Sequence, residues 1–309
     1  MIIGKAITAG GSGGIKCKLN ITTSPGAVVT ATLGEKVVEA AADESGKAVL
    51  ELSKEGIWTV TATYDGETVS KEVDTSLSVT ANAKFAVPIG ELLEGQSVWL
   101  KIDGVEKEFI IINQGIPSNS ADYDETANGT WVLAKDIYTN ALWGSKSSSS
   151  STTQTYENCT ADTTLSNTIL SLFDRQDIFK EINLPITTKR FSYGSGTYTH
   201  AKIARKIFLL STDEIGDGET ALNEGGSCNY FTGDNVEAKR IAYDLSAGAN
   251  AIWWTRSIYT GTGTTYYARR YAVNEMGGIG YGDCNTKWGI RPALVIKSDT
   301  LIDGNGRIV

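Results

Sequence analysis

The residue types that could carry covalent chemistry are few and poorly placed for it. His200, the one histidine, stands in Tyr198-Thr199-His200-Ala201, with no Cys or Glu signature beside it and no GxSxG string in the chain. Hydrolytic triads need a base next to a nucleophile, so His200 reads as a surface or turn residue. The carboxylate pairs Asp122/Asp124 and Asp213/Glu214 could imitate a glycosidase, yet closeness in sequence says nothing about the ~5–9 Å separation that chemistry requires. Asp217-Gly218-Glu219, Asn223-Glu224 and Asp283/Asn285 offer oxygen ligands, none at the spacing of a defined calcium loop. Cys17, Cys159, Cys228 and Cys284 form no CxxC pair, which argues against a zinc cluster. They read as free thiols, with a Cys228–Cys284 disulfide as the alternative. The expectation is no catalytic residue, no metal and no cofactor.

Recognition chemistry is where suitable residues concentrate. Tyr259, Tyr266, Tyr267, Tyr271 and Tyr281 lie close together, beside Arg269 and Arg270, in a segment otherwise rich in threonine and glycine. Tyrosine supplies a large, rigid, amphipathic contact area at low entropic cost, while Ser, Thr, Gly and Asn supply adaptable hydrogen bonds. Tyr and Arg also dominate binding hot spots. On a strand, Tyr267, Arg269 and Tyr271 would share one face. One or two of the tyrosines are expected to brace the core through their rings.

Elements must hold such a surface in place, and the bulk numbers allow them. A chain of 309 residues, 41% hydrophobic and 21% charged, suits two domains with real cores. Its 33 glycines against 5 prolines favour tight turns. A net charge of -8 argues against a nucleic-acid binder, since phosphate contacts need clustered Lys and Arg. No stretch approaches the ~18 apolar residues that span a bilayer, and Met1-Ile2-Ile3-Gly4-Lys5 carries no secretory signal pattern. Neither nucleic-acid binding nor membrane insertion is expected.

Residues 1–14 are short, small and glycine-rich, and read as a flexible arm. Residues 15–84 read as a β-sandwich of about seven short strands. Apolar and polar residues alternate in Lys18–Thr22, Val28–Thr32 and Trp58–Tyr64, and Ser24-Pro25-Gly26, Asp43–Gly46 and Asp65-Gly66 are turn signals. Trp58 reads as core. The chain crosses to a second unit near Thr75–Val87, and residues 88–309 form it. Val98–Asn113 reads as a hairpin turning at Asp103-Gly104, and Lys146–Thr153 as a polar surface loop. Leu165–Ile182 reads as a helix capped by Asp162 or Thr163. Arg205–Leu210 is a buried strand, Ser211–Glu214 a cap signal, and the last ~55 residues turn-rich β.

The strings FLLSTDEIG (Phe208–Gly216), WWTRS (Trp253–Ser257) and GIRPALVI (Gly289–Ile296) together resemble a C-type-lectin-like family of Firmicute phage tail-fibre and surface proteins. The resemblance covers about residues 95–300, departing at Thr255 and Ile258. The first 70 or so structured residues resemble immunoglobulin-like or carboxypeptidase-regulatory-like spacers. The implied fold class is α+β: an N-terminal immunoglobulin-like β-sandwich followed by a C-type-lectin-like domain. The same group includes variable proteins of diversity-generating retroelements, whose C-terminal stretch mutates at adenines while a scaffold stays fixed. Codons of the form AAY, randomised at both adenines, yield among others Tyr, Ser, Thr, Asn, Asp, Gly, Cys, Ala, Ile and Arg, and most of residues 255–288 lies in that set.

The resemblance divides the segment in two. Trp253, Trp254, Arg256, Trp288 and Arg291 are expected as scaffold, the tryptophans as a hydrophobic floor and the arginines as loop clamps. Thr255, Ser257, Tyr259, Thr262, Thr264, Thr265, Tyr266, Tyr267, Arg269, Tyr271, Asn274, Tyr281, Asp283 and Asn285 are expected as the ligand-binding face. The implied function is adhesion: a phage or prophage tail-fibre tip that binds a cell-surface protein or glycan receptor. Such a tip would attach to tail or baseplate proteins through its N-terminal region, and it implies a homotrimer and a place in the virion. A bacterial surface adhesin is the alternative. An oxidase resembling the formylglycine-generating enzymes, acting through Cys228 and Cys284, is the alternative of a different class.

Overall fold

A computed structural model describes residues 17–64, 66–76, 80–118, 122–145, 154–189, 199–217, 222–259 and 268–309. The expected arm 1–14, the polar loop 146–153, and Thr262, Thr264, Thr265, Tyr266 and Tyr267 lie outside them. The chain divides into two compact units, Met1–Glu91 with Asp299–Val309, and Leu92–Ser298.

The first unit packs two sheets over one core. Its strands are β1 (Cys17–Thr22), β2 (Val28–Leu33), β3 (Lys36–Ala41), β4 (Lys47–Leu52), β5 (Ile57–Tyr64), β6 (Glu67–Asp74) and β7 (Thr80–Lys84). They form sheets in the order β4-β1-β7 and β3-β2-β5-β6. Period-two patterning explains why: β1, β4 and β5 alternate buried and exposed residues along their lengths, so each sheet has one apolar face to bury. Leu19, Ile21, Val29, Leu50, Trp58 and Val60 are all but inaccessible. Trp58 is core as expected, its indole N–H donating to the Lys54 carbonyl at 3.0 Å. A short strand, β8 (Ala86–Pro88), follows.

The second unit is also strand-rich. It contains β9 (Ser97–Ile102), β10 (Val105–Gln114), β11 (Thr130–Ala134), β12 (Thr139–Leu142), β13 (Ile182–Lys189), β14 (Thr199–Arg205), β15 (Ile207–Phe208), β16 (Tyr243–Asp244) and β17 (Ala249–Asn250). They are followed by β18 (Trp253–Ile258), β19 (Arg269–Val273), β20 (Ile279–Asp283), β21 (Lys287–Ile290) and β22 (Ala293–Ile296). One five-stranded sheet runs β15-β22-β11-β10-β9, and the other runs β12-β21-β18-β19-β20. The β9–β10 hairpin turns at Asp103 (φ 52°) and Gly104 (φ 69°), the pair of positive φ values a two-residue type I′ turn demands. A last strand, β23 (Leu301–Asp303), pairs with β8. The chain's C-terminal residues therefore group with the first unit, and the second ends at Ser298 rather than at residue 309.

Helix is scarcer than expected. The predicted helix over 165–182 starts earlier, as α1 (Thr160–Thr163), continues as a π-turn over Thr164–Ile169 and a 3-10 turn over Leu170–Leu172, and stops there. Phe173 is extended and bridges to Ile102, Phe179 bridges to Ile296, and the two rings meet edge-on at 5.0 Å. Tertiary pairing of two aromatics overrides the helical period. Nor does Asp162 cap the helix: Cys159 takes that place, and the Asp162 carboxylate grips Arg205 at 2.7 Å through both oxygens. A second short helix, α2 (Val236–Arg240), precedes β16.

Candidate functional site

β18 is buried along its whole length, so its alternate residues serve two interiors rather than one interior and one surface. Trp253 and Trp254 are fully buried, and their indole N–H groups donate to the carbonyls of Arg240 at 3.0 Å and Ala141 at 3.3 Å. Trp254 lies against Trp288 with ring centroids 4.3 Å apart. Gly282 lets that pair exist, since a Cβ there would stand 2.1 Å from the Trp288 ring. Trp253 and Trp254 are thus packed and hydrogen-bonded inside, with Trp288 half-buried against Trp254.

Arg256 is the centre of a closed ionic network. Its guanidinium donates to both Glu214 carboxylate oxygens, at 2.5 and 2.7 Å, and to the carbonyls of Pro185 (3.1 Å), Leu209 (2.9 Å) and Glu224. Tyr123 donates its hydroxyl to Glu214 as well, and Ser257 donates to the Glu224 carboxylate. Arg256, Glu214, Ser257 and Glu224 are all buried. Burial alone would lower the Arg256 pKa, but the Glu214 charge and its hydrogen bonds outweigh that and hold it above its ordinary value. The expected cap signal at Ser211–Glu214 thus starts no helix. Ser211 and Glu214 exchange the reciprocal bonds of a capping box, at 2.9 and 3.1 Å, within a turn, and the carboxylate is spent on Arg256. Arg291 donates to the carbonyls of Ala134, Arg240 and Lys135 and lies 5.1 Å over the Trp253 ring, and burial pulls its pKa down to about 10.

The network also corrects two assignments. Thr255 and Ser257 were expected on the ligand-binding face, but both are fully buried. Thr255 donates to the Tyr271 carbonyl at 2.9 Å, and the Ser257 hydroxyl accepts from the Thr212 N–H at 3.0 Å. A strand covered on both sides leaves them no route to a ligand. Arg270 is buried too, its guanidinium 4.2 Å above the Trp143 ring.

Among the described residues, what remains outside is compact. In the β19–β20 ladder Tyr271 pairs with Tyr281 and Arg269 with Asp283. The flanking bonds Cys284 N–H to Ala268 O and Asn274 N–H to Gly278 O fix the alternation. Tyr271/Tyr281 and Arg269/Asp283 are non-hydrogen-bonded pairs, the kind that brings side chains closest. Tyr259, placed by its N–H bond to the Arg269 carbonyl, packs on both tyrosines, 5.2 Å from the Tyr271 ring and 4.1 Å from that of Tyr281. The Arg269 guanidinium lies 4.9 Å over Tyr281 and reaches Asp283 at 3.5 Å. Tyr281 is 47% exposed, whereas Tyr271 is 9% exposed and acts as the brace beneath. Asn285 is exposed one turn away, and Asn274 is half-buried, its side-chain oxygen accepting from the N–H groups of Met276 and Gly278. Asn274 therefore shapes the β19–β20 turn.

The residues considered for chemistry are dispersed. His200 is exposed on β14, opposite Thr187. Asp124 caps a 3-10 turn, and bonds from Thr126 and Asn183 hold its pKa down to about 2. All four cysteines are free and buried; burial pushes the Cys228 thiol well up and the Cys159 thiol up to about 12. Among the described residues no group of three or more His, Cys, Asp or Glu could hold a metal ion. Sequence reading missed Glu214, Glu224, Tyr123 and Trp143 as frame members; Glu214 was visible only as a cap signal and in a carboxylate pair, and Glu224 only as a possible oxygen ligand.

Asp213, beside the network, is a carboxylic acid displaced upward. Burial, opposed by the Glu224 N–H bond and helped by the Glu224 charge, raises its pKa from 3.8 to about 6. An acid whose folded pKa is raised favours the native state while protonated, and that contribution is lost as pH rises from about 4 through about 6. Asp213→Asn keeps the acceptor for the Glu224 N–H. It is expected to be more stable than the wild type at pH 7 by at most about 3 kcal/mol, with no difference below about pH 4. Urea denaturation at the two pH values checks this.

Residues 128–298 match the family model described as Domain of unknown function (DUF6273). The match covers more than half of the chain, which belongs to that family. No curated protein matches, and no solved structure matches.

Proposed function

We propose that this DUF6273 member is a binding protein whose working surface is the cluster of Tyr259, Tyr281, Arg269 and Asp283 on the outer face of β19 and β20. The observation that carries the reading is the division of one short segment into two chemistries. Trp253, Trp254, Arg256, Trp288 and Arg291 are tied down, while rigid aromatic and guanidinium groups beside them face outward. A stiff scaffold under an aromatic, polar face is what a paratope needs, because little entropy is then lost on binding.

In this reading the first unit is an immunoglobulin-like spacer and the second a C-type-lectin-like head. The whole is the receptor-binding tip of a phage or prophage tail fibre, its N-terminal region joined to tail or baseplate proteins and the tip trimeric. The ligand is a cell-surface protein or glycan, and no catalytic step is involved. A retroelement would diversify the outward residues and spare the tied ones. Two experiments test this. Labelled full-length chain should attach to particular host cells, and pretreating the cells with protease or with periodate should identify a protein or a glycan receptor; no attachment to any host would count against adhesion. Downstream DNA should hold a near-copy of the codons for residues 250–290 that differs mainly at adenines, beside a reverse transcriptase gene. Without that copy, diversification is wrong and binding still stands.

A further inference from the structure

We propose that the outer edge of β20 takes up an extended polypeptide segment as an added strand, beside the tyrosine face; this rests on the reading of that face as a binding surface. Among the described residues β20 ends its sheet, paired with β19 alone. In the ladder deduced above, Gly280 and Gly282 turn their N–H and C=O groups toward β19. The groups of Ile279, Tyr281 and Asp283 therefore point away from the sheet. The Asp283 carbonyl is taken by the Thr286 N–H at 2.9 Å. Among the described residues, no hydrogen bond reaches the N–H or C=O groups of Ile279 or Tyr281, or the Asp283 N–H.

Edge strands are normally blunted by proline, lysine, a bulge or a covering element. The sequence Ile279-Gly280-Tyr281-Gly282-Asp283 holds no proline or lysine, and its register against β19 runs unbroken through all five pairs. A Cβ built on Gly280 would meet nothing within 4 Å. The edge thus repeats donor and acceptor every second residue, about 7 Å apart, and a backbone in the extended conformation answers that repeat group for group. A glycan can stack on Tyr281 but has no such repeat. Side chains of an added strand would lie against Ile279 and Tyr281, which favours β-branched and aromatic residues. The chain's net charge of -8 selects against an acidic segment and for a neutral or basic one.

The probe is a library of random twelve-residue peptides selected on the immobilised full chain, with the best binder then made synthetically. Bound peptide should slow hydrogen exchange at the Ile279, Tyr281 and Asp283 amides by at least about tenfold, leaving Gly280 and Gly282, already bonded to β19, little changed. Ile279→Pro removes an outward donor without touching the β19 ladder and should weaken binding by about tenfold or more. Ile279→Ala, which keeps the donor, should lose far less. Should the proline variant not fold, the exchange pattern of the unmodified chain decides alone. Failure to select any peptide, or a bound peptide that leaves those three amides exchanging as before, overturns the proposal. So does a dimer of this chain that Ile279→Pro dissolves, since the edge would then belong to a second copy. Cell attachment lost in the Tyr259→Ala/Tyr281→Ala variant but kept in Ile279→Pro would remove the edge and leave the surface reading standing.

Discussion

Arg256→Leu is expected to destabilise the second unit by about 4 kcal/mol, because it strands a buried carboxylate. The wild-type guanidinium answers both oxygens of Glu214 and the carbonyls of Pro185, Leu209 and Glu224, all away from water. Leucine fills part of the volume and supplies no donor. Glu214 would keep only Tyr123 and the Ser211 N–H, and three carbonyls would lose a partner. Removing one member of a buried pair costs about 3–5 kcal/mol, a large share of a domain's ~5–15 kcal/mol of stability. For a domain of about 200 residues this lowers the melting temperature by roughly 10 °C. Arg256→Leu combined with Glu214→Leu removes both charges and should recover part of the loss. Calorimetry on the three variants measures the coupling directly. If Arg256→Leu melted with the wild type, the network would not be the frame described here.

Much of this frame was legible through the resemblance, which singled out Trp253, Trp254 and Arg256 in WWTRS and Arg291 in GIRPALVI. The physical reason is that a large or charged residue on a buried strand must be packed or paired. Strand periodicity likewise exposed the first unit and the β9–β10 hairpin. Position along a strand was harder to judge. The resemblance put Thr255 and Ser257 on the ligand-binding face, but β18 is covered on both faces and alternation there separates two interiors. The helix over 165–182 failed for a different cause: its apolar spacing was real, but Phe173 and Phe179 answer to distant strands rather than to their own turn. Glu214 and Glu224 were invisible as partners of Arg256 because 42 and 32 residues separate them from it. The last strand, β23, returns to β8, a pairing that no local pattern encodes.

The second large effect is on binding. Tyr259→Ala with Tyr281→Ala removes two rings 4.1 Å apart and the platform beneath the Arg269 guanidinium. Truncating a hot-spot residue costs about 2 kcal/mol or more, so the pair should weaken receptor binding at least about a hundredfold, with the usual lack of additivity. Stability should hardly follow. Tyr281 is 47% exposed, and the buried tryptophans and the Arg256 network do not depend on either ring. Tyr271 is the informative contrast: it is buried beneath Tyr259, so Tyr271→Ala should lower both binding and melting temperature.

The proposed division between working face and frame is therefore best tested by measuring cell attachment and melting temperature on the same purified Tyr259→Ala/Tyr281→Ala chain. Attachment reduced at least about a hundredfold, with a melting temperature within about 2 °C of the wild type, is the predicted result. Attachment that survives the double substitution would place the binding site elsewhere on the molecule and contradict the account.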